Sequence, residues 1–268
     1  MPHCAGFKLG SSIAAAGDVL ALGFGGNAIA SADAKMGGYF YARMNGMTDL
    51  SVSAQEQPRG FASEDMACFA LSAGVDCFVL NADANARNEE SSAIWKQVKP
   101  RLEGPSCSGE MCALPVSCSA WGRVLAIVGR ASSGKRYVAA YSVAENGEDY
   151  AWNCEHGCSS SAIESVDDAT FAESVSLNDK LLAVGSSGGN IGSMYPSDGT
   201  VRLYQATGSV SRYSEWREDV VLRGPAGFGK TVSLGPHFLL VQAPGNSTVA
   251  PAVHIYRVGV DGGSVTAE

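Results

Sequence analysis

The chain has 268 residues, enough for one sizeable domain able to bury about three-quarters of its unfolded surface. Its net charge is −8 and its basic residues form no cluster, which argues against a nucleic-acid partner. Charged residues make up only 17%, glycines number 32, and no apolar run approaches the ~20 residues of a membrane-spanning helix.

The same pattern of elements recurs along the chain. Phe7–Ile13 alternates, Val19–Gly25 is apolar, and Gly38–Arg43 is an aromatic run of strand length. A second copy opens at Gly60-Phe61 and reads as one strand through Leu71. It turns at Ser72–Asp76 and continues as Cys77–Leu80 and Ser92–Gln97. The third copy is degraded: Cys112–Cys118, Gly122–Gly129, then Tyr137–Val143. The fourth comprises Phe171–Leu177, Leu181–Gly185 and Gly199–Gln205, with an outer strand at Asp219–Leu222. The fifth comprises Phe228–Leu234, Phe238–Ala243 and Ala252–Val258, and leaves Gly262–Glu268 for its outer strand. Helical spacing is almost absent.

Phe7 and Phe61 lie 54 residues apart, Phe61 and Phe171 110, and Phe171 and Phe228 57. A four-strand unit at that period indicates an array in which each sheet covers its neighbour. The expected fold is all-β: a five-bladed β-propeller of four-stranded antiparallel blades, one domain with repeats near 6–59, 60–106, 107–170, 171–227 and 228–268. A two-sheet sandwich is the rival, although it requires no regular period.

The pattern Phe228-Gly229-x-x-Val232-x-Leu234, turn, Leu239-Leu240-Val241-x-Ala243-Pro244 resembles the FG-GAP repeat of integrin-type propellers. Trp216 and Leu222, followed by Phe228-Gly229, are similar to that family's aromatic link between units. The resemblance is good over 171–258, fair in the first two copies and poor in the third. It implies a propeller with a binding role, in cell-surface adhesion or recognition, and an extracellular or surface-associated location.

Loop lengths are asymmetric. The turns joining first and second strands are short, as at Asn178–Lys180 and Gly235–His237. The loops joining second and third strands are long: Phe24–Gly37, Asn81–Glu90, Gly185–Asp198 and Pro244–Pro251. In an up-and-down blade these long loops share a face with the blade-to-blade connections. Loops on a rigid scaffold carry binding residues. The candidate ligand-binding residues there are Asn27, Asp33, Lys35, Arg130, Lys135, Asn190, Tyr195 and Asp198, offered to a protein or glycan partner. The leading expectation is a non-enzymatic binding module. Its rivals are a structural module of a larger surface assembly and a propeller-fold hydrolase or lyase. The four histidines, none paired with a matching acid, weigh against the enzyme.

One loop has metal-ligand spacing. Asn81, Asp83, Asn85 and Glu89 place oxygens at alternate positions, with the Arg87 carbonyl between them, which suits a hard cation such as Ca²⁺. The loop resembles the calcium loops of integrin-type propellers, but Ala86 stands where glycine normally permits the turn. Cys154, His156 and Cys158 are softer ligands that lack a second pair for zinc. The even count of eight cysteines favours disulfides in an oxidising compartment, with Cys107–Cys112 and Cys154–Cys158 able to close small loops. The alternative is eight reduced, buried thiols. No charged-then-apolar signal pattern opens the chain, so it is expected either to stay inside the cell or to be a mature or excised piece.

Three motifs mimic catalytic sites. Gly224–Thr231 satisfies the phosphate-loop pattern, but a strand rather than a helix is expected after Lys230, and Gly235-Pro236 would break a helix. Gly185-Ser-Ser187-Gly-Gly189 fits a nucleophile elbow without the helix such an elbow requires. Gly23-Phe-Gly25-Gly-Asn-Ala28 mimics a dinucleotide fingerprint that no adequate helix follows.

Overall fold

The β-branched and aromatic runs form strands because their side chains suit a pleated surface buried on one or both faces. A computed structural model describes residues 7–16, 19–26, 36–42, 48–54, 59–62, 66–71, 74–80, 95–99, 102, 117–130, 136–146, 149–152, 163–164, 171–188, 198–207, 216–244, 250–261 and 264–267. Among these, every regular element is a β-strand. The chain divides into two compact units. One is Met1–Glu103 with Ala120–Arg123 and Val143–Trp152; the other is Gly104–Ser119, Val124–Ser142 and Asn153–Glu268.

In the first unit, β1 (Phe7–Ala16), β2 (Val19–Gly26), β3 (Met36–Ala42) and β4 (Thr48–Ala54) form a four-stranded sheet in chain order. Next come β5 (Arg59–Ala62), β6 (Met66–Leu71), β7 (Gly74–Leu80) and β8 (Trp95–Lys99), each antiparallel to the one before. The second copy is therefore read one strand out of step from sequence. The run from Phe61 to Leu71 holds two strands, and the segment expected as third, Ser92–Gln97, overlaps the fourth, Trp95–Lys99. Beside β8 lies β12 (Asp149–Trp152), which pairs with it in parallel through Tyr150↔Val98 and Ala151↔Lys99. Purely antiparallel blades thus do not hold at this position. β12 in turn pairs antiparallel with the last four residues of the long β11 (Arg136–Asn146). Met66, Cys68, Val75, Cys77, Val79 and Val98 are buried in this unit.

A disulfide joins Cys68 to Cys77, directly opposed residues of β6 and β7. It ties a hairpin whose strands already pair. The four cysteines expected to close small loops, at 107, 112, 154 and 158, lie outside the described residues.

The second unit takes Ser117–Ser119 of β9 (Ser117–Trp121) and then β10 (Val124–Arg130), which pairs with β11 from Val124↔Ser142 to Arg130↔Arg136. The short β13 (Ile163–Glu164) pairs with the start of β11. Two sheets in simple chain order follow. One is β14 (Ser174–Leu177), β15 (Leu181–Ser186), β16 (Gly199–Ala206) and β17 (Trp216–Gly224). The other is β18 (Thr231–Leu234), β19 (Phe238–Ala243), β20 (Ala252–Asp261) and β21 (Ser264–Ala267). All four strands of this last sheet come from the chain's final segment, with Ser264–Ala267 as the outer strand.

The sheets of this unit stack by alternation. Leu182 and Val184 of β15 pack with Val124, Ala126 and Val128 of β10. Leu181 and Ala183, on the other face, pack with Val232, Leu234, Leu239 and Val241. All of β15 is therefore buried, where β18 and β19 alternate buried with exposed. The polar contacts between sheets repeat as well. Ser119 Oγ accepts a hydrogen bond from Leu177 N at 3.0 Å, and Ser176 Oγ accepts one from Leu234 N at 2.9 Å, each across 58 residues.

Candidate functional site

One end of these sheets gathers the long connections. Ser174 opposes Gly185, Gly199 opposes Gly224, and Ala243 opposes Ala252, so the 187–198, 225–230 and 244–251 connections all leave from the same end. The other end carries the tight turns. Asn178 N donates to Leu181 O, and Gly235 N donates to Phe238 O. Asn178 is buried; its Oδ1 accepts from Lys180 N and Leu181 N, and its Nδ2 donates to Gly235 O of the next turn. That end also carries the longer connection between β16 and β17.

One cluster of charged side chains lies at the loop-bearing end. Lys230, just before β18, lies 3.2 Å from Oε1 of Glu173, just before β14, with side-chain exposures of 47% and 16%. These are the same repeat position in successive copies, 57 residues apart. Glu173 Oε2 is buried without a hydrogen-bond partner, and so is Arg136 Nε, while Arg136 Nη1 donates to Phe171 O at 3.4 Å. Burial would raise the Glu173 pKa, but Ser187, Lys230 and the charge of Arg136 outweigh it and hold the carboxyl below its ordinary value. The arrangement is a partly sheltered ionic cluster with one acid, two cations and the buried Ser187.

The sign of the pH dependence follows. A depressed folded-state pKa adds stability above the unfolded value, and this is lost as pH falls through the folded one. Unfolding free energies of wild type and Glu173→Gln from urea titration should differ by at most about 1 kcal/mol near neutrality, as for a partly exposed pair. The difference should close in acid. A difference that widens on acidification would contradict the pairing.

Two of the ligand-binding residues expected from sequence fall within the described residues. Arg130 ends β10 opposite Arg136, and the exposed Asp198 directly precedes β16, so both stand at the loop-bearing end. Asn27, Asp33, Lys35, Lys135, Asn190 and Tyr195 lie outside the described residues, as do the calcium-loop candidates Asn81, Asp83, Asn85 and Glu89. The phosphate-loop motif is followed by strand β18, not a helix. Arg136, Glu173 and Lys230 were not singled out from sequence as a site. Their signal is the opposite charge at matching positions of copies four and five.

No protein-family model matches the sequence, and no curated protein does. Among solved structures, the chain is similar to the β-propeller domain of the Trilobed protease from Pyrococcus furiosus, described as having an open velcro topology. The identity is 14%, the match covers 97% of this chain and 71% of that one, and the TM-score is 0.50. It is also similar to YjhT, at 13% identity over 94% of this chain and 81% of that one, with a TM-score of 0.44.

Proposed function

We propose that this β-propeller-like chain is a non-enzymatic binding module of five repeats, at the boundaries read from sequence, which presents its loop-bearing end to a protein or glycan partner outside the cell or on its surface. The observation that carries the reading is the asymmetry of the two ends. Long connections and the Arg136–Glu173–Lys230 cluster occupy one; tight turns held by backbone bonds and Asn178 occupy much of the other. Rigid sheets below and varied loops above are the usual division of labour in a recognition scaffold. The simple order of the last sheet, with every strand supplied locally, accords with an open velcro arrangement such as that described for the Pyrococcus furiosus domain.

A glycan array and proximity labelling on native cells would test the reading. Signal should fall about tenfold or more for Lys230→Ala combined with Asp198→Ala, the loss of charged contacts at a binding surface. It should persist for Lys180→Ala at the tight-turn end. Equal sensitivity of both ends, or no captured partner of either kind, would sink it. Calcium titration with Asp83→Ala on the same array examines the loop at 81–89.

A further inference from the structure

The ionic cluster of the second unit has more positive than negative charge, in a chain whose net charge is −8. Register sets Arg130 directly opposite Arg136, where β10 ends and β11 begins. Like charges at opposed positions are unfavourable unless something neutralises them. Lys230 is a third cation, 3.2 Å from Glu173 Oε1. Two other described acids of this end are set apart. Glu164 opposes Tyr137, so alternation places it on the other sheet face from Arg136. Asp198 precedes β16, two strands out from Glu173 in its sheet, or about 10 Å. Three cations thus share one carboxylate. Arg130, Arg136, Glu173 and Lys230 all belong to the second unit, and the contacts run between its own sheets.

The cations are incompletely used. Arg136 Nη1 reaches only the Phe171 carbonyl, at 3.4 Å, and its buried Nε has no partner. The Lys230 side chain is 47% exposed where that of Glu173 is 16% exposed, so the cation, more than the acid, is open to an incoming group. The group already held there selects the ligand. It is a side-chain carboxylate, and arginine and lysine clusters recognise acidic peptide motifs through the same charge-assisted pairing.

We propose that this cluster recognises the acidic side chains of a peptide segment in a protein partner, and that Glu173 is a built-in carboxylate with which those side chains compete. The proposal rests on the binding role above and narrows its ligand to an acidic peptide.

Fluorescence anisotropy of a labelled peptide of alternating glutamate and glycine tests it, in about 20 mM salt where surface charges are little screened. A glutamine–glycine peptide is the neutral control, and an oligomer of uronic acid is the glycan control. The glutamate peptide should bind and the glutamine peptide should not. Arg136→Gln and Lys230→Gln should each weaken binding about fivefold, the worth of one partly exposed ion pair. Glu173→Gln should strengthen it about threefold by removing the competitor, a gain that a merely structural carboxylate would not give. Lys180→Ala, at the tight-turn end, should leave it unchanged. Circular dichroism reports folding, and if Arg136→Gln does not fold, Lys230→Gln at its more exposed site decides. The proposal is overturned if the glutamate peptide does not bind, if the glutamine peptide binds equally, if the uronic acid binds more tightly, or if Glu173→Gln weakens binding. Partner capture that still depended on Lys230 and Asp198 would then leave the broader binding role standing without it.

Discussion

Phe228→Ala is expected to destabilise the second unit by about 3–5 kcal/mol, the range for deleting a fully buried aromatic side chain. Phe228 is wholly buried. His254 meets its ring edge-on at 5.2 Å and Tyr256 does so at 6.4 Å. Gly199 and Gly224 leave the space it fills: a Cβ on Gly224 would strike the ring, and one on Gly199 the Phe228 backbone. Phe228 N also donates to Pro225 O at 2.9 Å, so the turn that delivers the ring is itself fixed. Phe171, at the same position in the preceding copy and also buried, should behave alike. Val221→Ala, at a partly exposed site on β17, should change stability by less than about 1 kcal/mol. Urea unfolding followed by tryptophan fluorescence measures all three. A loss below about 1 kcal/mol for Phe228→Ala would mean that the sheets do not depend on this ring.

The phenylalanine was legible because it recurs at a fixed spacing with the same neighbours. The alternating strand, short turn and apolar strand of copies four and five were legible for the same reason, and the structure places β14, β15, β18 and β19 there. The second copy misleads because the run from Phe61 to Leu71 reads as one strand, although the polar Ser63-Glu64-Asp65 lies between the end of β5 and the start of β6. The parallel pairing of β12 with β8 brings together strands about 50 residues apart and leaves no local signature. The Cys68–Cys77 pair is different. Both cysteines lie in runs expected to be strands, but only the register, Cys68 opposite Cys77, reveals that they meet. The ionic cluster was hidden likewise, since Glu173 and Lys230 are joined by the stacking of sheets and not by sequence proximity.

Gly229→Ala is expected to cost about 2–5 kcal/mol, and its origin can be separated into two parts. Gly229 has φ of +86°, the left-handed region in which a non-glycine residue is strained by about 1–2 kcal/mol. A Cβ there would also sit 2.6 Å from Thr200 O and 3.1 Å from Ser186 N, backbone atoms that cannot move aside cheaply. Crowding of this kind typically adds about 1–3 kcal/mol. The preceding copy isolates the first part. Ala172 occupies the equivalent position with φ of +55°, so the fold tolerates the strain alone, and Ala172 N still donates to Ser186 Oγ at 3.3 Å. Ala172→Gly should therefore gain about 0.5–1 kcal/mol, the relief of strain offset by the greater freedom of an unfolded glycine. The same rule explains why glycine follows phenylalanine in the better-preserved repeat: the chain must reverse its handedness there to bring the Gly229 carbonyl to Ser174 Oγ, which donates to it at 3.0 Å. Thermal melts of the two variants give the measurement. If Gly229→Ala loses no more than Ala172→Gly gains, the close approach of the two sheets at Gly229 contributes nothing, and handedness alone accounts for the residue.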